Sequence, residues 1–329
     1  MRSFEGTAYG SIDAFRLVER DVSHPASGQV RIRVEATALG FVDSLMVQGR
    51  YQIKPPLPYV PGGEIAGVVD AVGSGVQLAM GSRVVTWQLG GGLSESLVVA
   101  ADTVDLIPAQ LDFVSAAAML VDYQTADYAL SERGHLRPGE TVLIIGAAGG
   151  VGSAAVQLAA KAGAHVIAAA STAEKRERAR ALGAHSAINS ASDDIRAEIR
   201  ANAPVGGVDV VVDPVGGSTF EALFRSLAKE GRHLVIGFAG GGIPVLPANL
   251  PLLKSAALVG VDIRHFLASR PEAARLARKA LLERVASGAL AKPQVTTYPF
   301  EQAGAALAAT SRREKVGKVV VLHDVTVDT

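Results

Sequence analysis

The chain has 329 residues, 32 Lys plus Arg balanced by 32 Asp plus Glu, and no cysteine. Its length accommodates two domains that each bury a core, and its balanced charge excludes a general attraction to nucleic acid or to an anionic membrane. The lack of cysteine excludes disulfides, thiolate zinc sites and a cysteine nucleophile. The N-terminal M-R-S-F-E-G-T has no apolar core of the kind a signal peptide needs, so the expected compartment is the cytoplasm.

Residues 1–123 read mostly as short strands. Val30-Arg31-Ile32-Arg33-Val34 alternates, Ile65 to Val72 is apolar apart from Asp70, and Val84, Val85 and Leu97 to Val99 sit between turn signals supplied by Gly73, Gly75 and Gly81. Period-two alternation broken by glycines predicts a small β-barrel.

From Gln124 to Ala257 strands and helices alternate. Strands are expected at 142–146, 165–170, 186–189, 208–213 and 233–237, the pattern of βαβ units stacked into a parallel sheet. The central stretch is T-V-L-I-I-G-A-A-G-G-V-G-S-A-A-V-Q, Thr141 to Gln157. Val142 to Ile145 form a wholly apolar run, as a strand covered on both faces requires. Ala147, Gly149 and Gly152 then fit an A-x-G-x-x-G form of the dinucleotide fingerprint. Gly149 lets backbone approach a pyrophosphate, and Gly152 lets the following helix pack closely, its N-terminus toward the phosphates. The expected cofactor loop is therefore Gly146, Ala148, Gly149, Gly150, Val151 and Gly152. A competing reading is a membrane span, because Thr141 to Ala160 carries no charge, but the clustered glycines at its middle argue against one.

The next strand decides between cofactors. An NAD site wants an acid at its end to hold the ribose 2′-hydroxyl. Here the sequence is Ala169-Ala170-Ser171, followed by Thr172, Lys175 and Arg176. Ser171, Lys175 and Arg176 are suited to a 2′-phosphate, which favours NADPH. Ordinary solvated residues on a K-R-E-R-A-R helix face are the alternative for the two cations. Ligands of such sheets bind at the carboxyl ends of the strands, which places Gly146, Ser171, Asp213 and Gly237 around one crevice. After Ala257 a short strand, a helix over 271–287 and a terminal strand over 316–322 are expected to return to the first domain.

Four segments together, P-Y-V-P-G-G-E-I-A-G-V-V (58–69), R-P-G-E-T-V-L-I-I-G-A-A-G-G-V-G (137–152), V-D-V-V-V-D-P-V-G-G (208–217) and G-K-V-V-V-L (317–322), resemble the zinc-independent medium-chain dehydrogenases/reductases, and within them the NADPH:quinone oxidoreductase group. The resemblance implies an α/β fold: a GroES-like β-barrel catalytic domain over 1–123 and 258–329, and a doubly wound Rossmann domain over 124–257. It also implies a homodimer that pairs the sixth strand, near Ala257 to Asp262, with its twin. Phe41, Asp43 and Tyr51 match its catalytic region, with Tyr51 closing over the nicotinamide as a proton donor or else packing on the barrel. Thr125 matches a threonine that bonds the nicotinamide amide, Gly237 and Phe238 match the strand end facing that ring, and Lys318 matches a lysine near the cofactor phosphates.

Zinc-bearing relatives carry a ligand cysteine and histidine where this chain has Gly40 and Gly63, so no metal is expected. Gly40 also stands where the group has an asparagine, and Ser190 where it often has a tyrosine near adenine. The function expected is transfer of hydride from NADPH to a small-molecule acceptor, a quinone first. An enal, enone or enoyl thioester is the alternative, for which Tyr51 would be the acid. A crystallin-like or NADPH-sensing protein with little turnover is the third reading.

Overall fold

The computed structural model describes residues 1–312 and 315–323. Along the chain come β1 (Arg2–Gly6), β2 (Phe15–Glu19), β3 (Gln29–Leu39), α1 (Phe41–Val47), β4 (Glu64–Val72), β5 (Arg83–Trp87), β6 (Ser96–Ala100), β7 (Val104–Leu106) and α2 (Phe113–Tyr128). Alternating elements follow: β8 (Thr141–Ile145), α3 (Gly150–Lys161), β9 (His165–Ala170), α4 (Ala173–Ala181), β10 (Ser186–Asn189), α5 (Ile195–Asn202), β11 (Val208–Asp213), α6 (Phe220–Arg225), β12 (Leu227–Val235), α7 (Asn249–Lys254), β13 (Ala257–Gly260) and α8 (Ile263–Ser269). The chain ends with α9 (Pro271–Ala286), β14 (Val295–Pro299), α10 (Ala303–Thr310) and β15 (Lys318–Leu322). It divides into two compact units, Met1–Val121 with Arg275–Thr329, and Asp122–Ala274. Of the segments expected to complete the barrel, residues 313–314 and 324–329 lie outside the described residues.

The first unit is a seven-stranded sheet in the order β14-β15-β3-β4-β5-β7, with β6 also on β3, plus the β1-β2 ribbon. β3 holds it together by changing partners along its length. Gln29 to Arg33 pair with β6 and Ala36 to Leu39 with β15, and its pairing with β4 is irregular between Arg31 and Ile32 and between Val34 and Ala36. A bulge bends a strand and increases its twist, which is how β3 turns from one partner to another along its length. Val30 and Ile32 point inward onto Val69, Val84 and Val99, while Arg31 and Arg33 point out.

The second unit is a six-stranded parallel sheet in the order β10-β9-β8-β11-β12-β13. The chain leaves β8 toward β9 and β10 and resumes on its other side at β11, so the topological switch lies between β8 and β11. The α/β class and the GroES-like plus Rossmann architecture hold. The expected boundary at 257/258 does not. β13 pairs with β12 from Arg232↔Ala257 to Val235↔Gly260, as a sixth parallel strand. The segment after it stays too, since Phe266 stacks on Tyr128 with ring centroids 4.4 Å apart and Gln124 donates to the Ala274 carbonyl at 2.6 Å. The fifth strand also runs earlier than expected, over Leu227–Val235. Among the described residues no helix is long and apolar enough to cross a membrane, and the uncharged Thr141–Ala160 run is β8, a turn and most of α3.

Candidate functional site

The turn between β8 and α3 needs its glycines for separate reasons. Gly146 has φ +62°, open to glycine at no steric cost. A Cβ on Gly152 would sit 2.2 Å from the Gly146 carbonyl oxygen, and one on Gly150 would sit 1.7 Å from Asp122 Oδ2. Those positions are dictated by the protein's own packing. Gly149, the N-cap of α3, is different: its Cβ would meet only the Gly146 carbonyl oxygen, at 3.3 Å. Its bareness leaves space on the ligand side of a twelve-residue helix whose first N–H groups have no intrahelical partner. Ala148 lies in the same turn and Val151 in the first turn of α3. The residues fit a pyrophosphate.

At the end of β9, Ser171 and Thr172 are exposed, and Thr172 caps α4 by accepting from the Lys175 N–H at 3.2 Å. Arg176 folds back over the strand ends. Its Nη1 donates to the carbonyls of Ala170 (3.2 Å) and Ser171 (3.3 Å) and reaches Asn189 Oδ1 at 3.5 Å. A guanidinium thus lies across the carboxyl ends of β9 and β10, in a place where an NAD site would carry an acid. Lys175 stands half-buried on the same first turn.

β11 ends at Asp213, and the turn after it adjoins Gly146: a Cβ there would be 3.0 Å from Val215 Cγ2. Gly237 and Phe238 follow β12, with Phe238 so close that a Cβ on Gly216 would be 2.9 Å from its ring. The structure therefore brings Gly146, Ser171, Asp213 and Gly237 to the carboxyl ends of four neighbouring strands. Thr125 is buried within α2 of the same unit, and the neighbouring Tyr123 hydroxyl accepts from Gln157 of α3 at 3.1 Å.

In the barrel unit, Gly40 caps α1 and its N–H donates to Asp43 Oδ2 at 2.7 Å, while Asp43 Oδ1 accepts from the Gly62 N–H at 3.1 Å. Burial raises the Asp43 carboxyl above its ordinary pKa, opposed by the Gly40 N–H, the Lys318 charge and the Gly62 N–H. Asp43, expected to be catalytic, is a buried brace that ties α1 to the 58–64 segment, both its oxygens being committed to backbone. Lys318, expected near the cofactor phosphates, has a side chain only 4% exposed, and its ammonium pairs with Glu64 Oε1 at 2.6 Å. Glu64 Oε2 accepts from the Val121 N–H at 3.0 Å. Tyr51 packs half-buried against the barrel cluster of Met46, Val47 and Tyr59, and Phe41 begins α1 with its ring partly exposed.

At Gly63 a Cβ would lie 2.5 Å from the Gln88 carbonyl oxygen, so this backbone leaves no room for a histidine. Among the described residues no group of three or more His, Asp or Glu is placed to hold a metal ion. Sequence reasoning missed the Glu64–Lys318 pair and the contact of Asp213 with His233. Neither has a local spacing signal, because the partners sit on different strands.

A model of the alcohol dehydrogenase GroES-like domain matches residues 26–109, and one of the zinc-binding dehydrogenases matches residues 150–279. The chain is 36% identical over 299 residues to quinone oxidoreductase-like protein 2 homolog of Nematostella vectensis, covering 90% of this chain and 82% of that one. Its structure matches Escherichia coli quinone oxidoreductase complexed with NADPH at a TM-score of 0.89 and 28% identity, over 98% of this chain and 100% of that one. It matches the CurK enoyl reductase at a TM-score of 0.88 and 29% identity, over 98% and 99%. With both domain models matched in order and a relative this similar over nine-tenths of this chain, the chain belongs to the medium-chain dehydrogenase/reductase family, in the quinone oxidoreductase group.

Proposed function

We propose that this chain is an NADPH-dependent reductase that delivers a hydride to a quinone without a metal. The observation that carries the cofactor choice is Arg176, whose guanidinium spans the ends of β9 and β10 where no acid stands. Ser171 and Lys175 would share the 2′-phosphate with it, and the turn around Gly149 with the first N–H groups of α3 would hold the pyrophosphate. Gly237 and Phe238 would wall the nicotinamide end. When bound, NADPH supplies the hydride. The chain's own part is to bind, orient and exclude water, because a quinone is already electron-poor and its oxyanion can be protonated by water.

Reduction of an activated C=C bond is the second reading, supported by the likeness to an enoyl reductase at a TM-score of 0.88. There Tyr51 would be the acid. The exposed outer strand β13 supports a homodimer through sheet pairing; a monomeric mass in sedimentation would remove it. Following NADPH oxidation with a benzoquinone and with an alkenal in parallel tests the main reading. Turnover of the alkenal alone would overturn it in favour of the second, and tight binding with turnover of neither would leave a binding protein.

A further inference from the structure

Asp213 and His233 are a buried polar pair beside the switch point of the parallel sheet. Their side chains are 1% and 0% exposed, on adjacent strands, with His233 Nε2 at 3.0 Å from Asp213 Oδ2. A carboxylate only accepts, so Nε2 carries the proton it donates. The other oxygen, Oδ1, accepts from the backbone N–H groups of Val215 (2.9 Å) and Gly216 (2.8 Å). Phe220, at 4.3 Å between ring centroids, and Phe224 flank the imidazole. Its Nδ1 has no partner among the described residues.

The carboxylate thus ends β11 and pins the turn that follows it. That turn has glycines at φ +63° and +77° (Gly216 and Gly217), and without an anchor it would have many conformations to choose from. Pinned, it puts Val215 against the position a Gly146 side chain would fill and Gly216 against Phe238. Both neighbours belong to the nucleotide crevice, one at the fingerprint turn and one at the end of β12.

We propose that Asp213 and His233 are positioning residues for the nucleotide: His233 orients Asp213, which holds the 214–217 turn in the shape that leaves the crevice beside Gly146 open. The proposal rests on the NADPH reading above. It assigns the pair to the β11–β12 side of the switch point, away from Arg176 of α4, whose guanidinium lies over the ends of β9 and β10.

Calorimetric titration of the apo protein with NADPH and with adenosine 2′-monophosphate, alongside apo melting, tests it. Asp213→Ala is expected to raise the NADPH Kd by on the order of tenfold or more, because a turn without its anchor must be ordered when the nucleotide binds. The same variant should bind adenosine 2′-monophosphate as the wild type does, because that fragment has no 5′-phosphate to enter the turn beside Gly146 and reports on the Arg176 side. Asp213→Asn keeps an oxygen for the two N–H groups and should bind NADPH near wild type, and His233→Phe should fall between. An Asp213→Ala protein that melts lower yet keeps the wild-type NADPH Kd, or loses both ligands equally, overturns the proposal. If that variant does not fold, Gly216→Ala decides, since it crowds the turn against Phe238 while both side chains of the buried pair remain present; an unchanged NADPH Kd there overturns the proposal as well. A wild-type protein that does not bind NADPH would instead remove the nucleotide reading itself, and this proposal with it.

Discussion

Lys318 and Glu64 meet at 2.6 Å with both side chains almost wholly buried, joining the last strand of the barrel to β4. A buried pair contributes little net stability against apolar isosteres, but losing one partner leaves an uncompensated charge. We therefore expect Lys318→Met to destabilise the protein by about 3–5 kcal/mol, and Lys318→Met with Glu64→Gln to recover much of the loss. Urea unfolding of the two variants checks this. A single variant within experimental error of the wild type would refute it.

Cofactor choice is expected to depend on Arg176 and Lys175. Removing one charged hydrogen bond to a 2′-phosphate costs about 1.5–3 kcal/mol, on the order of 10- to 150-fold in Kd. Arg176→Ala and Lys175→Ala should each weaken NADPH by that order and leave NADH nearly unchanged, as read by binding titration. Equal loss of both cofactors at either position would take that residue out of the site.

The two fingerprint glycines should fail differently. Gly152→Ala places a Cβ 2.2 Å from a backbone oxygen and is expected to lower the melting temperature, whereas Gly149→Ala meets its one neighbour at 3.3 Å. The second variant should fold with a near-native melt and lose NADPH affinity, because its methyl occupies the ligand side. A Gly149→Ala protein with full affinity would show that nothing approaches there.

His323 gives the barrel a pH dependence with a defined sign. Its Nε2 lies 3.0 Å from the Thr37 hydroxyl, which itself donates to the Gly92 carbonyl at 2.6 Å, so Nε2–H must be the donor to Thr37. Burial pushes its pKa down to about 3. With the folded pKa below the unfolded one, the unfolded chain takes up a proton first as pH falls. The stability His323 contributes is complete above its ordinary value of about 6.5 and is lost progressively toward pH 3, by at most about 1.4 kcal/mol per pH unit. His323→Gln should flatten the fall in urea midpoint between neutral pH and pH 5 relative to wild type. Parallel curves for the two proteins would rule the assignment out.

Much of the second unit was readable from residue order, because its signals are local. A strand buried on both faces is a continuous apolar run, a strand-to-helix turn needs glycine where φ is positive, and the absence of an acid after Ala170 is a matter of one position. The strands at 165–170, 186–189 and 208–213 match their expected limits for that reason. The outer strand was misassigned. Ala257–Gly260 is short and exposed, so its composition says nothing about which sheet it joins, and only its pairing with Arg232 to Val235 does.

By itself, then, the order of residues determined the two-domain α/β plan, the glycine turn between β8 and α3 and the cations at the start of α4, since each is written within one or two turns of chain. Tertiary structure alone decided where the buried charges went. Asp43 became a brace, Lys318 closed on Glu64, and Asp213 closed on His233. A charge taken out of water must find a partner, and a partner on another strand is chosen by the geometry of the sheet, which no spacing in the sequence records.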